Sequence, residues 1–448
     1  MEALLTKASD RSLKIAIVGF GYIGECIGAV LAERGYDVTG IDVSERTVKR
    51  FNAKDPVVPE PGLKEIVEKY TPHQMRATTD FSELAKADFI VVTVGTPIDE
   101  HYRPQTKYVI EASKSVAKYL RKGQAVALKS TTPPLTTENI VRPLLEESGL
   151  KAGVDFALGF SPERLAEGVA LAELRSIPII VGGINPASTD LLAKLWKILL
   201  PVETIPVSSP RAAEMSKLAD NAFIDLSVAL GNEIAIICDG IGTDAVEVIR
   251  AANSLKKGQY NVNILAPSMG VGGTCLTKDP WFLHEMGKQA GYEFRTFAAG
   301  RTANEYMPLY TASVIERAIG GSLKGKTVAV LGLAFKANTG DLRFTPVGPL
   351  LKELARRGAK LQLSDPLAIA DEAHEMTTLP LLDPMDAVAG ADAVTCMAPH
   401  REFKAMDLKA VRKRSKGDAF VDGRNGFDAD AVRAAGFRYF GIGRGVPA

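Results

Sequence analysis

Residues 270–280 read GVGGTCLTKDP and set a cysteine behind a run of glycines. Glycines let the backbone come close to a small molecule and leave N–H donors exposed to it. A lone cysteine is usually a small buried apolar residue, and that reading suits Cys26, Cys238 and Cys396. Cys275 differs, being flanked by Gly273, Thr274, Lys278 and Asp279. A thiolate adds to an aldehyde to give a thiohemiacetal. Hydride loss converts that to a thioester, and water then releases an acid. This chemistry needs a stabiliser for the developing oxyanion and a base for the water. Lys217 and Asn221, spaced i, i+4 on a helical stretch, aim at a common point. Glu163, in SPERLAEG, offers a carboxylate. Each of these side chains is equally at home on a solvated face, so spacing alone does not select them.

A hydride needs an acceptor, and the start of the chain provides a place for one. KIAIVG (14–19) is a short apolar strand pattern, followed by helical spacing from Gly21 and a second strand pattern, YDVTGID. Gly19, Gly21 and Gly24 form G-x-G-x-x-G at the strand-to-helix turn. The first glycine permits the tight turn, the second admits a pyrophosphate, and the third lets helix and strand pack closely. Free N–H groups and the helix dipole favour the phosphates. Asp42 ends the second strand, where a carboxylate accepts from ribose hydroxyls and repels a 2′-phosphate. NAD is therefore expected over NADP, with Arg46 close enough to soften that preference.

The elements that position these groups read as α/β. After the first unit come ADFIVVTVGTP, a helical stretch 108–120 and QAVALKSTTPP, an alternation that implies a parallel sheet with helices on both faces. From Arg211 to Asp239 the chain is helix-forming, without proline, and long enough for a spine between domains. The α/β pattern restarts near Lys324: KTVAVLGLAF, a helix, AKLQLSDP ending at Asp365, then ADAVTCMAP and DAFVDGRN. The expected fold is two doubly wound Rossmann-like domains joined by a long central helix. The expected limits are 1–205 for the NAD-binding domain, 206–320 for a central helical domain carrying the lysine and cysteine, and 321–448 for the second α/β domain. That last domain lacks close-approach glycines, since Leu333, Ala334, Phe335 and Lys336 follow Gly332. Its strand ends can still hold a mononucleotide, with Lys336, Arg343 and Arg424 near a diphosphate or sugar.

Composition agrees with an ordinary globular enzyme. Apolar residues make up 46% and charged residues 24% of 448, with net charge +1. No polyanion-binding surface is implied, so nucleic acid is not an expected partner. The four cysteines are scattered without a Cys/His cluster, so no metal site is expected and a reducing, cytoplasmic setting fits. The first residues lack the apolar core of a signal peptide, and no membrane association is expected.

Several segments, taken together and in order, resemble the UDP-glucose/GDP-mannose dehydrogenase family over nearly the whole chain. They are IVGFGYIG (17–24), VPEPGL (58–63), VTVGTPID (92–99), STTPPLTT (130–137), SPERLAEG (161–168), AAEMSKLADNAF (212–223), GVGGTCLTKDP, LGLAFKANTGDLR (331–343) and VDGRNGFD (421–428). The resemblance implies four-electron oxidation of a UDP-hexose at C6, with Cys275 as nucleophile. It implies that Lys217 stabilises oxyanions with Asn221 assisting, that Asp279 orients a water and supports Lys217, and that Thr131 holds that water and touches the cofactor. Glu163 resembles the base for thioester hydrolysis, and Glu167 a second carboxylate of its loop. The cofactor set it implies adds Tyr22, Ile23, Thr96, Thr131, Glu167 and Arg343 to the glycines, Asp42 and Arg46. The substrate set comprises Glu163, Arg164, Leu165, Lys217, Asn221, Gly272, Phe335, Lys336 and Arg424. Family members form homodimers through the central helices.

Two features depart from the family pattern. Lys256 and Lys257 stand where an arginine often reaches the neighbouring subunit, and lysine lacks the planar fork. TCLTKD resembles the UDP-glucose branch, whereas SPER, VNILAPSMGVGG and DPWFL resemble the UDP-N-acetylhexosamine branch. The expected substrate is a UDP-N-acetylhexosamine such as UDP-N-acetylmannosamine, with UDP-glucose as the competitor. A 3-hydroxyacid-type dehydrogenase would need neither Cys275 nor a third domain with VDGRN. A non-catalytic nucleotide-sugar sensor would not need Cys275, Lys217, Asp279 and Glu163 together.

Overall fold

The computed structural model describes residues 2–56, 60–99, 103–258 and 260–445; Val58 and Pro59 of the VPEPGL segment lie outside these. The chain forms two compact units. One comprises 1–220 with 281–291, the other 221–280 with 292–448. The stretch 206–320, expected as a domain of its own, is thus divided between the two.

The N-terminal unit is built on an eight-stranded sheet: β1 (Lys14–Val18), β2 (Asp37–Ile41), β3 (Met75–Thr78), β4 (Phe89–Val92), β5 (Ala125–Leu128), β6 (Ala157–Phe160), β7 (Ile179–Gly183) and β8 (Thr204–Pro206). Their order is β3-β2-β1-β4-β5-β6-β7-β8. The first six strands have the doubly wound dinucleotide-fold order. Ile15 and Ile17 of β1 enter one buried cluster and Ala16 and Val18 another. A strand whose alternate residues are all apolar must be covered on both faces, and this one is. The wholly parallel sheet expected from the pattern holds except at one place: β6 and β7 run antiparallel. The SPERLAEG segment leaves the carboxyl end of β6 and the chain turns back, so no crossover helix is needed there.

In the C-terminal unit, β9 (Lys256–Lys257) and β10 (Tyr260–Asn261) form a short antiparallel ladder. The main sheet contains β11 (Thr327–Leu331), β12 (Lys360–Ser364), β13 (Ala393–Cys396), β14 (Ala419–Asp422) and β15 (Arg438–Gly441), in the order β12-β11-β13-β14-β15. All its pairs are parallel. Val328 and Val330 face one core, Ala329 and Leu331 the other. The helix Pro210–Ile241 is the long spine expected from the sequence. Among the described residues it alone is long and apolar enough to cross a membrane by length and composition, and half of that window is buried in the protein.

Candidate active site

The turn after β1 explains its three glycines one by one. Gly19 has φ +87°, and a side chain there would meet the Val94 backbone at 2.9 Å. A Cβ on Gly24 would lie 2.6 Å from the Gly19 carbonyl oxygen, so helix and turn pack without room for a methyl group. Gly21 is the reverse case, with nothing within 4 Å of a Cβ. Its missing side chain keeps space open at the start of the helix Tyr22–Glu33, which carries no side-chain cap. An uncapped helix start beside open space suits a pyrophosphate. Asp42 accepts from the Phe20 N–H at 2.8 Å and the Ser44 N–H at 2.9 Å, which fixes its carboxylate at the end of β2. Gly19, Gly21 and Asp42 line a cleft of about 340 Å³ together with Val43, Thr93, Gly95 and Tyr108. These residues fit a dinucleotide bound across the carboxyl ends of the strands.

The other expected cofactor residues are not among those lining this cleft. Ile23 and Gly24 belong to the first turn of the helix Tyr22–Glu33. Arg46 is exposed near the start of Glu45–Asn52. Thr96 is buried just beyond Gly95. The Tyr22 hydroxyl donates to Glu60 Oε2 at 2.7 Å, and the same oxygen accepts from the Gly168 N–H at 2.7 Å. Burial and this bond to Glu60 push the Tyr22 phenol far above its ordinary range, with Glu167 adding to the effect. Buried Glu60 thereby ties the nucleotide helix to SPERLAEG, a connection not read from the sequence. Arg343 lies in the C-terminal unit, exposed and paired with Asp341 at 2.5 Å and Glu372 at 3.8 Å; it is not among the residues lining the cleft.

Within SPERLAEG, Glu163 Oε1 accepts from the Leu165 N–H. Arg164 donates to the Pro178 carbonyl and lies 3.6 Å from Asp220. Thr131 sits just past β5, partly exposed, on a loop pinned by Glu214. Glu214 is fully buried and accepts from the Leu135 N–H at 2.7 Å and the Thr137 N–H at 2.8 Å. Burial raises its carboxyl to about 7 against these opposing hydrogen bonds.

In the C-terminal unit the glycine segment packs on the expected substrate loop. A Cβ on Gly272 would lie 2.7 Å from both Phe335 Cβ and Pro346 Cδ, and Gly273 has φ +83° with the Phe335 ring equally close. Gly272 and Phe335 are thus brought together, and Lys336 is exposed beside them in sequence. Of the four cysteines only Cys275 is exposed. Burial raises the thiols of Cys26, Cys238 and Cys396, which suits inert core residues. The Cys275 carbonyl accepts from the Asp279 N–H at 2.8 Å, at the start of the helix Asp279–Gln289. Asp279 is buried and accepts from Asn221 Nδ2 at 2.6 Å, with Lys278 Nζ 2.8 Å from its other oxygen. Lys217 lies one helical turn before Asn221 on Pro210–Ile241, and both are buried.

Arg424, expected near the substrate, is held by protein acceptors. Its guanidinium donates to the Gly270 carbonyl at 2.8 Å, the Phe335 carbonyl at 2.9 Å, the Met397 carbonyl at 3.2 Å and Ser268 Oγ at 3.3 Å. Those bonds clamp the glycine segment to the loop after β11. A buried chain continues from Ser268 through Asn232 and Asn304 to Asp225 and Arg301, each contact at 2.8–2.9 Å. Apart from Arg424, none of these braces is legible as a site, because Asp225, Asn232, Arg301 and Asn304 are isolated polar residues on helices and Ser268 stands in a loop. Asp365, at the end of β12, occupies the place that Asp42 has after β2. As at Asp42, both oxygens accept backbone N–H groups, but here Leu333 and Ala334 N–H and His400 Nε2 all meet one of them and the Leu367 N–H meets the other. That carboxylate is buried, which agrees with a mononucleotide rather than a dinucleotide in this half.

Comparison with known proteins bears on all three parts of the chain. The NAD-binding domain model of the UDP-glucose/GDP-mannose dehydrogenase family matches 13–200, its central-domain model 211–306 and its UDP-binding domain model 329–429. UDP-N-acetyl-D-mannosamine dehydrogenase of Pyrococcus horikoshii is 31% identical over 97% of this chain and 100% of its own length. UDP-N-acetyl-D-glucosamine 6-dehydrogenase of Pseudomonas aeruginosa is 32% identical over 91% and 95%. Among solved structures, the P. horikoshii enzyme superposes with TM-score 0.84 at 30% identity over 96% of this chain and 99% of the other. A UDP-glucose dehydrogenase of Pyrobaculum islandicum gives the same TM-score at 28% identity over 96% and 98%. The chain belongs to the UDP-glucose/GDP-mannose dehydrogenase family, a family of NAD-dependent nucleotide-sugar oxidoreductases.

Proposed function

We propose that the protein oxidises the C6 hydroxyl of a UDP-N-acetylhexosamine, such as UDP-N-acetylmannosamine, to a carboxylate. The supporting observation is Cys275: the one exposed thiol, on a glycine-rich turn whose carbonyl starts the helix bearing buried Asp279. NAD⁺, held by Gly19, Gly21 and Asp42, supplies the hydride acceptor for both oxidations. Lys217 and Asn221 stabilise the oxygen at C6 as it gains charge. Cys275 Sγ adds to the aldehyde carbon and retains it as a thiohemiacetal, which becomes a thioester on the second oxidation. Asp279 and Thr131 hold the hydrolytic water, and Glu163 takes its proton. Because the aldehyde stays on sulfur, none accumulates free.

The sugar assignment rests on the names of the similar enzymes and on the SPER and DPWFL segments. UDP-glucose is the second reading, favoured by Lys278, which packs against Asp279. A homodimer through the long helix is part of the same reading. Phe223, Leu230, Ile237 and Ile241 form an exposed apolar stripe along it, at 48–72% exposure. Four scattered cysteines fit a reducing cytoplasm. The test is NADH release against UDP-N-acetylmannosamine, UDP-N-acetylglucosamine, UDP-N-acetylgalactosamine, UDP-glucose, dTDP-glucose and GDP-mannose. Two NADH per uronate from a UDP-N-acetylhexosamine is expected; one NADH with free aldehyde would overturn the reading.

A further inference from the structure

Lys129 is a buried cation that the mechanism above does not use. It follows β5 and is 5% exposed. Its Nζ donates to the carbonyls of Ser161 at 3.2 Å and Pro162 at 3.4 Å, the two residues before Glu163. Its own carbonyl accepts from the Glu163 N–H at 3.4 Å. The ammonium also sits over the Trp196 ring, 4.9 Å from its centroid, and Trp196 Nε1 donates to Ser161 Oγ at 3.0 Å. The two carbonyls and the aromatic face carry no formal charge of their own. The charged groups around it are Glu163, Arg164 and Lys217, with Glu173 also lining the small cavity that Lys129 shares with Glu163. Glu173 is engaged by the Ala166 N–H at 2.6 Å. Burial pulls the Lys129 amine down to about 8, and the carboxylate that resists this loss of charge is that of Glu163.

We propose that Lys129 is the positioning residue for thioester hydrolysis: its ammonium holds SPERLAEG by the backbone and keeps Glu163 ionised as the base. This rests on the function proposed above. In that step Glu163 takes one proton from water as the water oxygen bonds to the thioester carbon. The C–S bond breaks with its electron pair going to Sγ of Cys275. The second water proton leaves as the new acid ionises. A Glu163 that is already protonated cannot start the sequence, so a cation within reach widens the pH range over which it operates. Burial beneath Trp196 keeps solvent from screening that charge.

The test follows hydrolysis of the Cys275 acyl-enzyme by quench and intact-protein mass, as a function of pH, in Lys129→Met, Lys129→Gln and Lys129→Arg full-length protein. Met and Gln both remove the charge, but Gln still donates to the carbonyls. The acid limb of the hydrolysis rate is expected to move up by about 1 pH unit or more in both, the size of effect an opposite charge at 4–6 Å has on a carboxylate, with acyl-enzyme accumulating below it. Arg, which keeps the charge, should restore the wild-type acid limb. A wild-type acid limb in Gln but not Met would reduce Lys129 to a backbone clamp and overturn the proposal, as would an unmoved limb in all three. Absence of any acyl-enzyme in the wild type would instead overturn the thioester reading, and this inference with it.

Discussion

Alanine at Gly21 and alanine at Gly24 should do opposite things, although the two substitutions add the same methyl group three residues apart. Gly21 has β-region backbone, φ −88° and ψ −157°, and open space where a Cβ would go. Gly21→Ala should therefore cost the free protein under about 1 kcal/mol, the difference between glycine and alanine at a helix cap. The methyl group would stand where a pyrophosphate must approach the backbone, so NAD⁺ affinity should fall at least about tenfold, or about 1.4 kcal/mol. At Gly24 the methyl carbon would lie 2.6 Å from the Gly19 carbonyl oxygen and 3.2 Å from Thr93 Oγ1. A backbone oxygen about 1 Å inside ordinary contact distance cannot rotate away. Overpacking of this kind costs about 1–3 kcal/mol, or roughly 2–12 °C of melting temperature for a unit of this size. Thermal unfolding of the free protein and titration calorimetry with NAD⁺ separate the two effects. Wild-type NAD⁺ affinity in Gly21→Ala, or equal destabilisation by both variants, would refute the assignment of the turn.

Other substitutions test other parts of the site. Cys275→Ser should abolish uronate formation by about 10³-fold or more while leaving UDP-sugar affinity within about twofold, measured by product assay and calorimetry. Glu214 has its carboxyl raised above the unfolded value, so its stabilising contribution is full below about pH 4.5 and lost as pH rises through about 7. The melting temperature of Glu214→Gln minus that of the wild type should therefore climb between pH 5 and 8; a flat difference would remove the buried-carboxylate account. Arg424→Lys keeps the charge but cannot span four acceptors, and should cost about 1–3 kcal/mol of stability and weaken UDP-sugar binding without altering NAD⁺ binding. Ile237→Asp in the exposed stripe should shift sedimentation toward monomer.

The cofactor cleft was legible because its signals are local. Gly19, Gly21 and Gly24 answer to backbone geometry within one turn, and Asp42 ends an apolar strand. The second α/β half was equally readable from alternating runs, and Cys275 stood out by its glycines. What sequence could not supply was direction and long-range pairing. Short apolar runs such as Ala157–Phe160 and Ile179–Gly183 carry no mark of strand polarity, so the antiparallel β6–β7 pair was missed. Glu60 resembles any turn carboxylate until Tyr22 and Gly168 converge on it from 38 and 108 residues away. Lys129 looks like a strand-end lysine whose natural place is solvent, and only Trp196 and the carbonyls of Ser161 and Pro162 make it a buried cation. Arg424 was expected to meet a ligand because a basic residue after a strand invites that reading. The fold also places four protein acceptors around its side chain, which no local pattern announces. The unit boundary at 220/221 falls inside the helix Pro210–Ile241, where nothing in the composition marks it.

The account turns most directly on whether sugar carbon ever bonds to residue 275. Wild-type protein turning over a UDP-N-acetylhexosamine with NAD⁺, quenched in acid and digested, should yield the peptide spanning Cys275 with the hexosyl acyl group attached to sulfur, and none from Cys275→Ser. Uronate formed at full rate while that peptide stays unmodified at every time and pH would contradict it.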